Sequence, residues 1–164
     1  MTTQIRHRSG LMVASEESGG DCGFIARIGN TPIQRIRLRI GEKSRNVYLK
    51  LEGHNPGGSI KDRTACSLLR SLENSGQLNP GGRLVESSSG NLAIGLAMLS
   101  RDRGYQFTAV VDPKVTAENM RRLRDLGAGT MMVETLDATG GYLLTRLARI
   151  REMLAEDPGL LWTN

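Results

Sequence analysis

The sequence predicts an α/β fold, an open parallel sheet with helices on both faces. Three observations lead there. Short apolar runs of strand character alternate four times with segments whose apolar residues recur at helical spacing. The connections are short, and the 20 glycines gather at the junctions instead of forming a low-complexity tract. The run Phe107-Thr108-Ala109-Val110-Val111 lacks polar alternation, as a strand covered on both faces should.

Residues 1–24 lack periodicity, carry Ser15-Glu16-Glu17-Ser18-Gly19-Gly20, and are read as a flexible leader. Val47-Tyr48-Leu49-Lys50-Leu51 is a short strand. Over 61–75, Ala65, Leu68, Leu69 and Leu72 fall on one helical face. Arg83-Leu84-Val85-Glu86 is the next strand. The helix from Asn91 to about Arg101 is apolar nearly all round and should be buried. Phe107–Val111 follows as the third strand. Thr116 is an N-cap, with Glu118 in the first turn, for a helix that turns Met120, Leu123 and Leu126 inward and stops at Gly127. Thr130-Met131-Met132-Val133 is the fourth strand. A helix over 141–156 sets Leu143, Leu147, Ile150 and Leu154 on one face. Pro158-Gly159 breaks it, and Leu160-Leu161-Trp162 begins a strand with no expected sheet partner. Residues 25–157 thus read as one α/β domain, and 158–164 as the start of a second domain cut short.

The chain has 164 residues, enough for one domain with a substantial core. With one Trp, three Tyr and two Phe, that core must be aliphatic. A net charge of +5 and a pI near 9.7 raise nucleic acid as a partner. The arginines argue against it. Arg121, Arg122 and Arg124, and again Arg146, Arg149 and Arg151, sit on helices beside acids such as Glu118, Asp125, Glu152 and Glu156, which reads as solvated helix faces. The expectation is no nucleic acid and no membrane, since the apolar run 93–99 is far short of a span. Cys22 and Cys66 have no metal-ligand spacing, so no metal site is expected and a reducing cytoplasm fits. His7 and His54 lack companions for a metal or a triad.

Two stretches carry chemistry. In Asn55-Pro56-Gly57-Gly58-Ser59-Ile60-Lys61-Asp62-Arg63, proline and two glycines make a sharp turn, and Ser59 and Asp62 suit a capping box for the helix beside them. Lys61 then stands in the first turn, where a lysine can act as an amine nucleophile toward an aldehyde; an ordinary surface lysine after a glycine turn fits the spacing equally well. In Ser87-Ser88-Ser89-Gly90-Asn91, hydroxyls and helix-start amides would form an anion site for a carboxylate or phosphate, or a plain capping loop. Both loops are expected to follow parallel strands and to meet at the carboxyl edge of one sheet, where ligands of open α/β sheets bind.

Together with Ile28-Gly29-Asn30-Thr31-Pro32, these stretches resemble the cysteine synthase/cystathionine β-synthase group of fold-type II enzymes that use pyridoxal 5'-phosphate (PLP). The resemblance covers residues 25–164. It implies that Lys61 is catalytic and holds the cofactor as a Schiff base, and that Asn91 contacts the cofactor ring hydroxyl. By the same resemblance Ser88, Ser89, Gly90 and Leu92 hold the substrate carboxylate, Asn55 and Thr31 support the site, and the enzyme is a homodimer acting on small amino acids.

The family usually places Thr and Gly after the asparagine, where Leu92 and Ala93 stand here, and Pro-Thr where Ser87-Ser88 stand. That altered loop, with Ala109-Val110-Val111-Asp112-Pro113-Lys114 and Gly140-Gly141-Tyr142-Leu143-Leu144-Thr145-Arg146, is similar to the branch that makes 2,3-diaminopropionate precursors for siderophores and peptide antibiotics, whose siderophore members join O-phosphoserine to glutamate. The alternatives are a cysteine synthase using O-acetylserine and sulfide, a dehydratase (whose motif usually reads Ser-Gly-Asn-His), and a non-catalytic binding fragment.

Overall fold

A computed structural model describes residues 23–163. A parallel sheet forms as predicted, but with a different set of strands: Arg83–Glu86 (β3), Gln106–Val111 (β4), Gly129–Met132 (β5) and Leu160–Trp162 (β6), in the order β5-β4-β3-β6. Helices Lys61–Asn74 (α1), Asn91–Arg103 (α2) and Ala117–Asp125 (α3) lie on one side, where Ala65, Leu69, Ile94, Leu96 and Leu123 close over Leu84, Phe107, Ala109 and Val111. Leu143–Glu156 (α4) covers the other side, with Ile150 against Val85 and Val110. Alternate residues of one strand thus feed two cores. Each fully buried leucine contributes roughly 2 kcal/mol.

The local signals operate as predicted in several places. Thr116 Oγ1 accepts from Asn119 N at 3.1 Å to cap α3, and Gly127, at φ +78°, ends it. All of α2 from Ala93 to Ser100 is buried.

Five expectations are corrected. Residues 47–51 do not belong to the parallel sheet: Lys43–Lys50 (β2) pairs antiparallel with Ile33–Ile40 (β1), forming a separate hairpin. Ser59 and Asp62 do not make a capping box. Ser59 Oγ accepts from Lys61 N at 3.1 Å, while the Asp62 carboxylate turns back to Gly57 N. Leu160–Trp162 does have a sheet partner, β3, and Thr163 Oγ1 locks the junction by donating to Glu86 Oε2 at 2.6 Å. Arg122 and Arg146 are not on solvated faces. Arg122, half-buried, reaches Gly57 O, and Arg146, its side chain 13% exposed, pairs at 3.0 Å with Asp112. Leu143, expected inward, is 54% exposed because α4 begins only there. The leader lies almost wholly outside the described residues, as do His7 and Cys22.

Candidate active site

Lys61 is the first residue of α1 and is exposed. Its side chain has no hydrogen bond or ion pair among the described residues. The turn before it is built around Gly57. The Asp62 carboxylate accepts from Gly57 N at 2.5 Å, and Arg122 Nη2 donates to Gly57 O at 2.9 Å, so both sides of that residue are gripped. A side chain at 57 would put its Cβ 2.4 Å from Asp62 Oδ1, so the buried carboxylate requires glycine there. Burial pushes the Asp62 carboxyl above its ordinary range, and the Gly57 N–H and the Arg122 charge oppose this.

A polar network stands behind the turn. Glu52 accepts from Arg63 Nε at 2.9 Å, from Thr31 Oγ1 at 2.8 Å and from Asn55 Nδ2 at 2.8 Å. These donors, Arg63 foremost, hold the Glu52 carboxyl at about 2. Asn55 Oδ1 also accepts from Gly29 N at 2.9 Å, which ties the Ile28–Pro32 motif to the lysine turn. Thr31 and Asn55 are buried and spend their polar atoms inside this network.

The serine loop opens α2. The Glu86 side chain accepts from Ser87 N at 2.7 Å, and Ser88 Oγ accepts from Gly90 N and Ala93 N at 3.4 and 3.2 Å. The amides of Asn91 and Leu92 then have no acceptor among the described residues, as expected for a first turn free to meet an anion. Asn91 is exposed; Ser88, Ser89, Gly90 and Leu92 are half-buried. Ser87 Oγ is buried without a partner.

Gly95 brings the two regions together. Its missing side chain lets α2 approach α1, since a Cβ there would lie 3.1 Å from Ala65 Cβ and 3.5 Å from Asp62 Cα. Asn91 is one turn before Gly95, and Lys61 adjoins Asp62, so the two helix starts stand side by side. The lysine and the serine loop are thus neighbours through helix packing, not because both follow strands of one sheet.

The stretches 109–114 and 140–146 also meet. Asp112 at the end of β4 pairs with Arg146, and Lys114 Nζ lies 5.6 Å from the centre of the Tyr142 ring. Sequence reasoning missed Glu52, Glu86, Asn119 and Arg122. Asn119 had one usable signal, its place three residues after a capping threonine. The others owe their roles to distant partners and had none. Among the described residues no cluster suited to a metal ion occurs, and no helix is long and apolar enough to cross a membrane.

The chain is 51% identical over 138 residues to the N-(2-amino-2-carboxyethyl)-L-glutamate synthase of Ralstonia nicotianae, covering 84% of this chain and 40% of that one. It is 46% identical over 141 residues to the synthase of the same name from Cupriavidus metallidurans, covering 86% and 41%. The chain therefore spans about two fifths of the length of the curated relatives it matches. Among solved structures, a hydrogen sulfide-producing enzyme from Fusobacterium nucleatum superposes with a TM-score of 0.77 at 28% identity, over 90% of this chain and 46% of that one. An O-ureido-L-serine synthase gives 0.70 at 37% identity, over 87% and 43%. Residues 25–164 match the family described as pyridoxal-phosphate dependent enzyme, and with its lysine turn and serine loop side by side the chain belongs to that family.

Proposed function

We propose that this chain forms the lysine-bearing part of an enzyme that exchanges the β-substituent of an activated serine. The donor is O-phosphoserine or O-acetylserine and the acceptor an amine such as glutamate, on a route to 2,3-diaminopropionate for siderophores or peptide antibiotics. One observation carries the reading: the exposed amine of Lys61, unpaired among the described residues, adjoins a helix start whose Asn91 and Leu92 amides meet no acceptor there and which hydroxyls line.

The residues present fit pyridoxal phosphate and an amino-acid substrate. Lys61 offers an amine for covalent attachment, Asn91 an exposed amide side chain for the ring hydroxyl, and Ser88, Ser89 and the free amides of Asn91 and Leu92 a cradle for a carboxylate. The cofactor, when bound, supplies the electron sink that makes a Cα proton removable. Lys61 Nζ takes that proton and later returns it to Cα. The cradle fixes the carboxylate and so sets which Cα bond breaks. At Cβ the bond to the phosphate or acetate oxygen breaks, the bond to the incoming nitrogen forms, and the nitrogen's extra proton leaves to solvent. Leu92 lacks the hydroxyl of the threonine usual in the family pattern, which supports a nucleophile other than sulfide.

Borohydride reduction of the intact, cofactor-loaded protein and peptide mapping test the assignment: the label is expected on Lys61, and Lys61→Ala should abolish both label and turnover. Turnover retained by Lys61→Ala rejects it. Product masses with each serine ester, paired with glutamate or sulfide, identify donor and acceptor. The family resemblance further supports a cytoplasmic homodimer, which sedimentation of the intact enzyme and cell fractionation test.

A further inference from the structure

Helix α3 touches both halves of the candidate site. Its outer face is occupied by a solvated ion-pair chain, with Arg121 at 2.9 Å from Glu118 and 3.7 Å from Asp125. Asn119 and Arg122 lie off that chain, three residues apart and therefore on one side of the helix. Asn119 Nδ2 donates to Ser89 O at 2.9 Å, two residues before Asn91. Arg122 Nη2 donates to Gly57 O at 2.9 Å, four residues before Lys61.

The lysine turn needs this support. Beside it opens a surface depression of about 280 Å³, lined by Phe24, Pro56, Gly57, Ile94, Arg122 and Leu126 among others. Where the turn borders that open space, the hydrogen bonds to Gly57 hold it. Asp62 holds Gly57 from within α1, and Arg122 is the grip that comes from another element. Acting alone, each contact would steady one loop. Made from one rigid helix, the pair sets the spacing between the loops.

We propose that Asn119 and Arg122 are positioning residues, through which α3 braces the lysine turn and the serine loop as one unit. The inference rests on reading these two loops as the active site. Its test is hydrogen exchange by mass spectrometry on the intact protein without ligand. Arg122→Met should speed exchange about tenfold in peptides over 57–61, the loss of a charge-assisted bond. Asn119→Ala should speed it about fivefold over 88–92. Strands β3 and β4 should exchange as in the parent. In the loaded protein, Arg122→Met should also slow borohydride labelling of Lys61, Asn119→Ala should raise KM for the amino acid more than it lowers kcat, and Arg122→Lys should restore part of the labelling rate. Should Arg122→Met fail to fold, the exchange measurement on Arg122→Lys, expected to fall between the two, decides.

Exchange that is unchanged, or raised evenly across the sheet, overturns the brace. A parent that shows the localised pattern in its variants yet never labels at Lys61 overturns instead the reading of the site.

Discussion

Gly57→Ala is the sharpest test of how the lysine turn is built. The added Cβ would stand 2.4 Å from Asp62 Oδ1 and 2.9 Å from its Cγ and Oδ2. Asp62 is fully buried in the first turn of α1, so its carboxylate cannot swing into solvent. It must leave Gly57 N, which breaks a 2.5 Å bond to an ionisable acceptor and strands a buried N–H. A bond of that kind contributes about 2 kcal/mol and an orphaned donor costs about 1 kcal/mol more, so the expected loss is about 3 kcal/mol. Denaturant unfolding of the intact protein measures it. Gly81→Ala is the control, because Gly81 has φ +76° and open space around it, leaving only the left-handed penalty of about 1 kcal/mol. In an Asp62→Ala background the clash disappears, and Gly57→Ala should then cost less than about 0.5 kcal/mol. A Gly57→Ala protein as stable as the parent, or a cost that is additive with Asp62→Ala, would refute the reasoning.

Two further predictions follow from the ion pairs. Glu52 is held at about 2, below its ordinary 4.5, so between these values the unfolded chain binds the extra proton. Its contribution is therefore complete above 4.5 and lost as pH falls toward about 2; Glu52→Gln should flatten that acid limb in unfolding experiments, and an unaltered limb would count against the Thr31–Glu52–Arg63 network. Arg146→Met leaves Asp112, which is 6% exposed, without its cation and should cost about 3 kcal/mol, with partial recovery in the Arg146→Met/Asp112→Asn double variant. Single and double variants of equal stability would exclude a structural role for the pair.

The parallel sheet was legible because its strands and helices carry their own signals: the unbroken apolar run in β4, the threonine cap and glycine stop of α3, the all-round apolar α2. Strand β1 escaped despite a period-two pattern, Ile36, Leu38 and Ile40 set against Arg35, Arg37 and Arg39. That alternation was legible and went unread; in the structure the hairpin that β1 forms with β2 is exposed on nearly every residue, its apolar positions included. Lys61 and Asn91 each open a helix, as the turn and the loop before them suggested. Their supports did not show, because Asp62, Arg63 and Arg122 act on residues 5, 11 and 65 positions away, and a charge on a helix looks solvated until its partner is known. The lysine turn was assigned to the wrong neighbourhood for the same reason. Its preceding strand was real, but its pairing lay with a segment that had not been read as a strand.

The place of β6 matters for the order in which the molecule is made. Strand β3 carries the serine loop at its end, yet among the described residues one flank of β3 is closed only by β6, whose residues leave the ribosome more than seventy positions later. Until then the backbone amides and carbonyls of Arg83–Glu86 on that flank are open to any passing strand. The seal is brief, three residue pairs and the Thr163–Glu86 bond, and it also finishes the wall beneath Ser87. Nascent chains that stop short of Leu160 should therefore be the species most prone to pair with one another and most dependent on chaperones.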